Sequence, residues 1–113
     1  TGSPPHFTSK QAKVTHTLLS EGCEIYGTVI RSVLSNDVVV EEGAVVTDSV
    51  IMANTHIGKD AKINYAILDE NITVETGATV GEAKETAKGI AVIGNGCTVE
   101  AGATVEAGAM ISE

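Results

Sequence analysis

From Leu34 to Val80 a large aliphatic residue returns on a fixed beat: Leu34, Val40, Val46, then Ile51, Ile57, Ile63, then Leu68, Val74, Val80. The steps are six, six and five, repeated, so the unit is 17 residues long. Shifted by one unit, Ser32-Val33-Leu34 falls on Ser49-Val50-Ile51 and then on Ala66-Ile67-Leu68. Self-similarity of whole segments at a fixed period is the signature of a solenoid. Three residues after most of these aliphatics stands one that enters φ > 0 cheaply: Asp37, Gly43, Asn54, Asp60, Asn71 and Gly77, with Gly22, Gly96, Gly102 and Gly108 outside the stretch. These are predicted corners. One position further comes a mostly small residue (Ala44, Thr55, Ala61, Ala78, Cys97, Ala103, Ala109) that can point inward beside the aliphatic without overfilling a narrow core. The pattern predicts an all-β, single-stranded parallel β-helix of hexapeptide repeats, three short strands per coil and about five coils.

The inward residues sort into three columns. The first face takes Leu19, Leu34, Ile51, Leu68, Ile93 and Ile111, the second Ile25, Val40, Ile57, Val74 and Val99, and the third Val14, Val29, Val46, Ile63, Val80 and Val105. The first coil is about two residues short. Between Val80 and Ile93 the beat breaks over a small, charged segment, Gly81 to Gly89, which predicts a loop extruded across 81–91. Residues 1–9 (TGSPPHFTS) lack the repeat and contain Pro4-Pro5, which favours extended polyproline geometry, so they are expected to be a linker from a missing N-terminal domain. The β-helix is expected over 10–113.

Alternation along a strand puts the residue before each core aliphatic on the outside. On the second face these are Glu24, Val39, His56, Thr73 and Thr98, and on the third Thr28, Val45, Lys62, Thr79 and Thr104, mostly polar. On the first they are Leu18, Val33, Val50, Ile67, Val92 and Met110, all apolar. Six such side chains over roughly 24 Å, at ~4.8 Å per coil, form the kind of stripe that marks an interface with another domain or subunit.

Composition narrows the partners. A net charge of −8 argues against nucleic acid or an anionic membrane, since either needs a basic face. The sequence has no apolar run near 18 residues and no signal peptide, so a cytoplasmic location is expected. Only 3% of residues are aromatic, as suits a prism filled by Ile, Val, Leu and Ala. Cys23 and Cys97 both take the small inward position on one face, four coils or roughly 19 Å apart, beyond the reach of a disulfide; both are expected as free, buried thiols.

Candidate chemistry is thin. His6, His16 and His56 are dispersed along the chain and give no converging zinc set. His56 faces outward and could act as the general base of a hexapeptide acyltransferase. No metal site and no catalytic residue is expected in this chain. The cations available to a phosphate-bearing ligand are Arg31, the only arginine, at the first-face edge, with Lys84 and Lys88 in the late loop.

Ala12-Lys13-Val14, Leu18-Leu-Ser-Glu-Gly-Cys23, Ser32-Val-Leu34, Asp48-Ser-Val-Ile51, Ile67-Leu-Asp-Glu-Asn71 and Ala87-Lys-Gly-Ile-Ala-Val-Ile-Gly94 occur in this order over nearly the whole chain. Together they resemble the C-terminal domain of bacterial glucose-1-phosphate adenylyltransferase (ADP-glucose pyrophosphorylase). That resemblance, and not the periodicity, implies left-handed winding; parallel connections are otherwise right-handed. It further implies a parent chain that makes ADP-glucose and pyrophosphate from ATP and glucose 1-phosphate, with magnesium, for glycogen synthesis. The catalytic residues would lie in an N-terminal nucleotidyltransferase domain, so none is carried over. The β-helix would serve assembly, in a homo-oligomer expected to be a tetramer, and would take part in binding a sugar-phosphate effector through Arg31, Lys84 and Lys88. The alternatives are a fragment of a hexapeptide acyltransferase, with His56 catalytic, and a non-catalytic paralogous adenylyltransferase subunit.

Overall fold

The structure is a computed structural model that describes residues 5–112. It contains eighteen strands and no helix among those residues. The first coil comprises β1 (Phe7–Thr8), β2 (Lys13–Thr15) and β3 (Leu18–Leu19), and the second β4 (Glu24–Ile25), β5 (Thr28–Ile30) and β6 (Val33–Leu34). The third holds β7 (Val39–Val40), β8 (Val45–Thr47) and β9 (Val50–Ile51), and the fourth β10 (His56–Ile57), β11 (Lys62–Asn64) and β12 (Ala66–Leu68). The fifth holds β13 (Thr73–Val74), β14 (Thr79–Gly81) and β15 (Ala91–Ile93), and the sixth β16 (Thr98–Val99), β17 (Thr104–Val105) and β18 (Met110–Ile111).

Each coil gives one strand to each of three parallel six-stranded sheets, ordered β3-β6-β9-β12-β15-β18 on the first face, β1-β4-β7-β10-β13-β16 on the second and β2-β5-β8-β11-β14-β17 on the third. This is the parallel β-helix that the beat predicts, and its three-sided coils are consistent with left-handed winding. The coil count is corrected from about five to about six. The added rung is β1: Phe7 pairs with Glu24 and Thr8 with Ile25 in the parallel second-face sheet. The stretch expected as a linker thus ends in a strand; Thr1 to Pro4, including half of the Pro-Pro pair, lie outside the described residues.

All three core columns are sealed in the middle of the stack: Leu34, Ile51, Leu68, Val40, Ile57, Val46 and Ile63 have no exposed surface. The smaller inward column on the second face is not uniformly small, because Val38 and Ile72 are fully buried there between Cys23, Thr55 and Cys97. Cys23 and Cys97 are free and buried. All ten predicted corner residues have φ between 61° and 80° except Asp60, at 59°. The shortening of the first coil lies between β4 and β5, where Tyr26 and Gly27 alone turn the corner. Glycine is required at 27, since a Cβ there would run into the carbonyl oxygens of Ala44 and Glu41.

Candidate functional site

The corner from the third face to the first is built unlike the other two. Its turning residues are His16, Arg31, Asp48 and Tyr65, at φ 48°, 47°, 52° and 50°. Side chains with a Cβ pay a steric penalty in this region, and the next residue of each coil compensates with inward hydrogen bonds. Ser32 Oγ donates to the Ile30 carbonyl (2.8 Å) and accepts from Ser49 N–H (3.1 Å). Ser49 Oγ repeats the pair with the Thr47 carbonyl (2.8 Å) and Ala66 N–H (3.1 Å), and Thr17 Oγ1 accepts from Ser32 N–H at 3.3 Å. A ladder of hydroxyls thus satisfies buried amides coil after coil, as a buried donor requires.

On the outside of this corner Arg31 grips Asp48 in a bidentate pair, Nε–Oδ1 at 2.7 Å and Nη2–Oδ2 at 3.0 Å. The Arg31 guanidinium, helped by Lys84, holds the Asp48 carboxyl below the usual carboxylate range. In turn Asp48, with Glu85 further off, raises Arg31. The late loop therefore lies beside this pair. The loop is ordered by one turn, with Ala83 O accepting from Thr86 N–H and Ala87 N–H. At its other end Gly89 meets the last coil, where a Cβ at 89 would stand 3.2 Å from Gly108 Cα, and Ala107 is buried. The structure thus brings Arg31 and Lys84 to one corner and puts Lys88 one residue from the contact with Gly108. Because of the loop, Ile67 pairs with Val92, 25 residues on instead of 17.

The outward stripe on the first face is continuous. Leu18 and Met110 are 71% and 78% exposed, Val33 and Val50 42% and 40%, while Ile67 and Val92 are half-buried. Met52 and Ile90 add exposed apolar surface. The second face is different: His56 Nε2 lies 2.7 Å from Glu41 Oε2, above a shallow groove lined by Gly58, Thr73, Glu75 and Thr76. Among the described residues no three His, Cys, Asp or Glu side chains gather as a metal would need, and no helix is long and apolar enough to cross a membrane.

Missed in the sequence were the partner of Arg31 and the hydroxyl ladder. Both were signalled by the 17-residue offset, since Arg31 and Asp48, like Ser32 and Ser49, are equivalent residues of successive coils.

The family description "GlmU-like, C-terminal hexapeptide" matches residues 4–99. The chain belongs to this GlmU-like hexapeptide family. Within it, the hexapeptide chain is 45% identical over 83 residues to glucose-1-phosphate adenylyltransferase of Bacillus cytotoxicus, covering 74% of this chain and 22% of that enzyme. Against the same enzyme of Bacillus thuringiensis (strain Al Hakam) and Bacillus mycoides (strain KBAB4) identity is 42% over 81 residues, covering 72% and 22%. The match is to the C-terminal, hexapeptide-repeat part of these nucleotidyltransferases. The GlmU-like chain spans about a fifth of the length of these curated relatives. Among solved structures, a mutant perosamine N-acetyltransferase from Caulobacter crescentus, in complex with CoA and GDP-perosamine, aligns with a TM-score of 0.46 and 23% identity, over 90% of this chain and 51% of that one.

Proposed function

We propose that this chain is the assembly and regulatory module of a glucose-1-phosphate adenylyltransferase, whose N-terminal nucleotidyltransferase domain makes ADP-glucose and pyrophosphate from ATP and glucose 1-phosphate. The observation that carries the reading is the 45% identity to the C-terminal part of such an enzyme. The magnesium of that reaction belongs with the nucleotidyltransferase domain: no group of three carboxylate, His or Cys ligands forms among the described residues here. An assembly role is supported by the exposed apolar stripe, which a lone soluble domain would not keep.

A regulatory role rests on the loop corner. Arg31 is committed to Asp48, so a sugar-phosphate effector would be met first by Lys84 and Lys88, which no ion pair among the described residues holds. In the intact enzyme, Lys84→Ala with Lys88→Ala should weaken activation by a sugar bisphosphate about tenfold, the ~1.4 kcal/mol of one lost charged contact. Turnover without activator should stay within about twofold of the parent. Unchanged activation would remove the loop from the regulatory role, and an intact enzyme without adenylyl transfer would overturn the reading as a whole.

A further inference from the structure

Charge is not spread evenly along the coil axis. Residues 5–19, which build the first coil, hold Lys10 and Lys13 and no acid, whereas residues 93–112 hold Glu100 and Glu106 and no Lys or Arg. One end of the stack is basic and the other acidic, in a chain of net charge −8. His16 and Glu106 stand on the same corner, third face to first, at opposite ends. Between these ends runs the apolar stripe of the first face, and its two most exposed members, Leu18 and Met110, are its two termini.

We infer that the first face is covered by a second copy of this chain, packed face to face and antiparallel about a two-fold axis that runs along the strands between β9 and β12. The inference rests on the reading of the chain as an assembly module. A parallel pairing would set basic end on basic end and acidic on acidic, and like charges facing each other oppose association. The antiparallel pairing sets Lys10, Lys13 and His16 toward the partner's Glu100 and Glu106. It also closes the assembly, because an isologous contact uses the same patch on both copies and leaves no surface for further growth. Its register follows from the order of the rungs: Leu18 opposite the partner's Met110, Val33 opposite the partner's Val92, and Val50 opposite the partner's Ile67. Every contact is aliphatic or thioether on aliphatic.

Disulfide trapping reads both the occupant and its direction. Leu18→Cys combined with Met110→Cys, mildly oxidised, should give a covalent dimer bridged between positions 18 and 110, confirmed by peptide mapping that sets aside Cys23 and Cys97. Leu18→Cys alone should give none, since the two copies of position 18 would lie roughly 24 Å apart, far outside disulfide range. By sedimentation equilibrium, Val50→Glu should weaken the dimer at least about tenfold, as expected for a charge buried in an apolar contact. A covalent dimer from Leu18→Cys alone would overturn the antiparallel arrangement. A monomer that gives no cross-link in either variant would overturn the second copy as occupant. If Val50→Glu nevertheless disrupts the intact enzyme, the assembly reading survives and the stripe lies on the enzyme's other domain.

Discussion

The first and second faces share one interior and differ in nearly everything outside it. Ile57 beneath the second face and Leu68 beneath the first are equally sealed, and the strands above them pair in the same parallel manner. Outside, the second face shows Glu24, His56 and Thr73 to solvent and ties His56 to Glu41, while the first shows six apolar side chains. The inward set makes the coil, and the outward set decides what the coil meets. Function in this molecule is therefore a property of one side of a prism and of the corner beside it.

The comparison predicts equal damage inside and unequal damage outside. Ile57→Ala and Leu68→Ala should each cost about 2–5 kcal/mol by chemical denaturation, because both remove methyl groups from a core with little freedom to collapse. A large difference between them would show that the two faces do not share one core. Ser49→Ala should cost about 1–3 kcal/mol: it leaves the buried Ala66 N–H without its acceptor, and the second face offers no equivalent loss at that height. Full stability in this variant would show that Ala66 N–H finds another partner.

Outward charges should separate the faces without unfolding either. Val50→Glu should change association and leave the unfolding midpoint nearly as it was, and Thr73→Glu on the second face should change neither, as sedimentation and melting on the same samples would show. The smallest effect should come from Asp48→Asn, which keeps a residue tolerant of φ > 0 but abolishes the pair with Arg31. Because the folded-state carboxyl is lowered, its stabilisation is fully present above the ordinary value of about 3.9 and is lost as pH falls through the lowered one. The parent chain should therefore exceed Asp48→Asn in melting temperature at neutral pH, and the gap should close in acid; a gap independent of pH would exclude the ion pair as its source.

The fold was legible because stacking forces each coil to repeat the one before it. Aliphatics on a six-six-five beat and Gly, Asn or Asp at two corners leave few other architectures open, and all ten of those corner residues turn through positive φ. The third corner was not legible by the same rule. Arg31 and Tyr65 do not advertise φ > 0, and what holds them there is a hydroxyl bonded across coils, seen only when residues 17 apart are compared. The strand Phe7–Thr8 escaped notice because it adds one rung without an aliphatic in the inward place, Thr8 standing where Ile25 does in the next coil. The candidate site was legible as a set of cations but not as a geometry: nothing in Arg31 alone says that Asp48 already occupies it, or that an eight-residue insertion lies against that pair.

The two thiols turn the molecule into its own fraying gauge. A solenoid coil touches only its neighbours, so opening begins at an end and travels inward. Cys23 opens the second coil and Cys97 the sixth, one rung from either end. Cys23 is pinned, its Sγ donating to the Ser35 carbonyl at 3.0 Å and its own carbonyl accepting from Phe7 N–H, and burial pushes its thiol up, away from the reactive thiolate. The order in which a thiol reagent consumes the pair therefore records the direction of unzipping, with no label added to the chain.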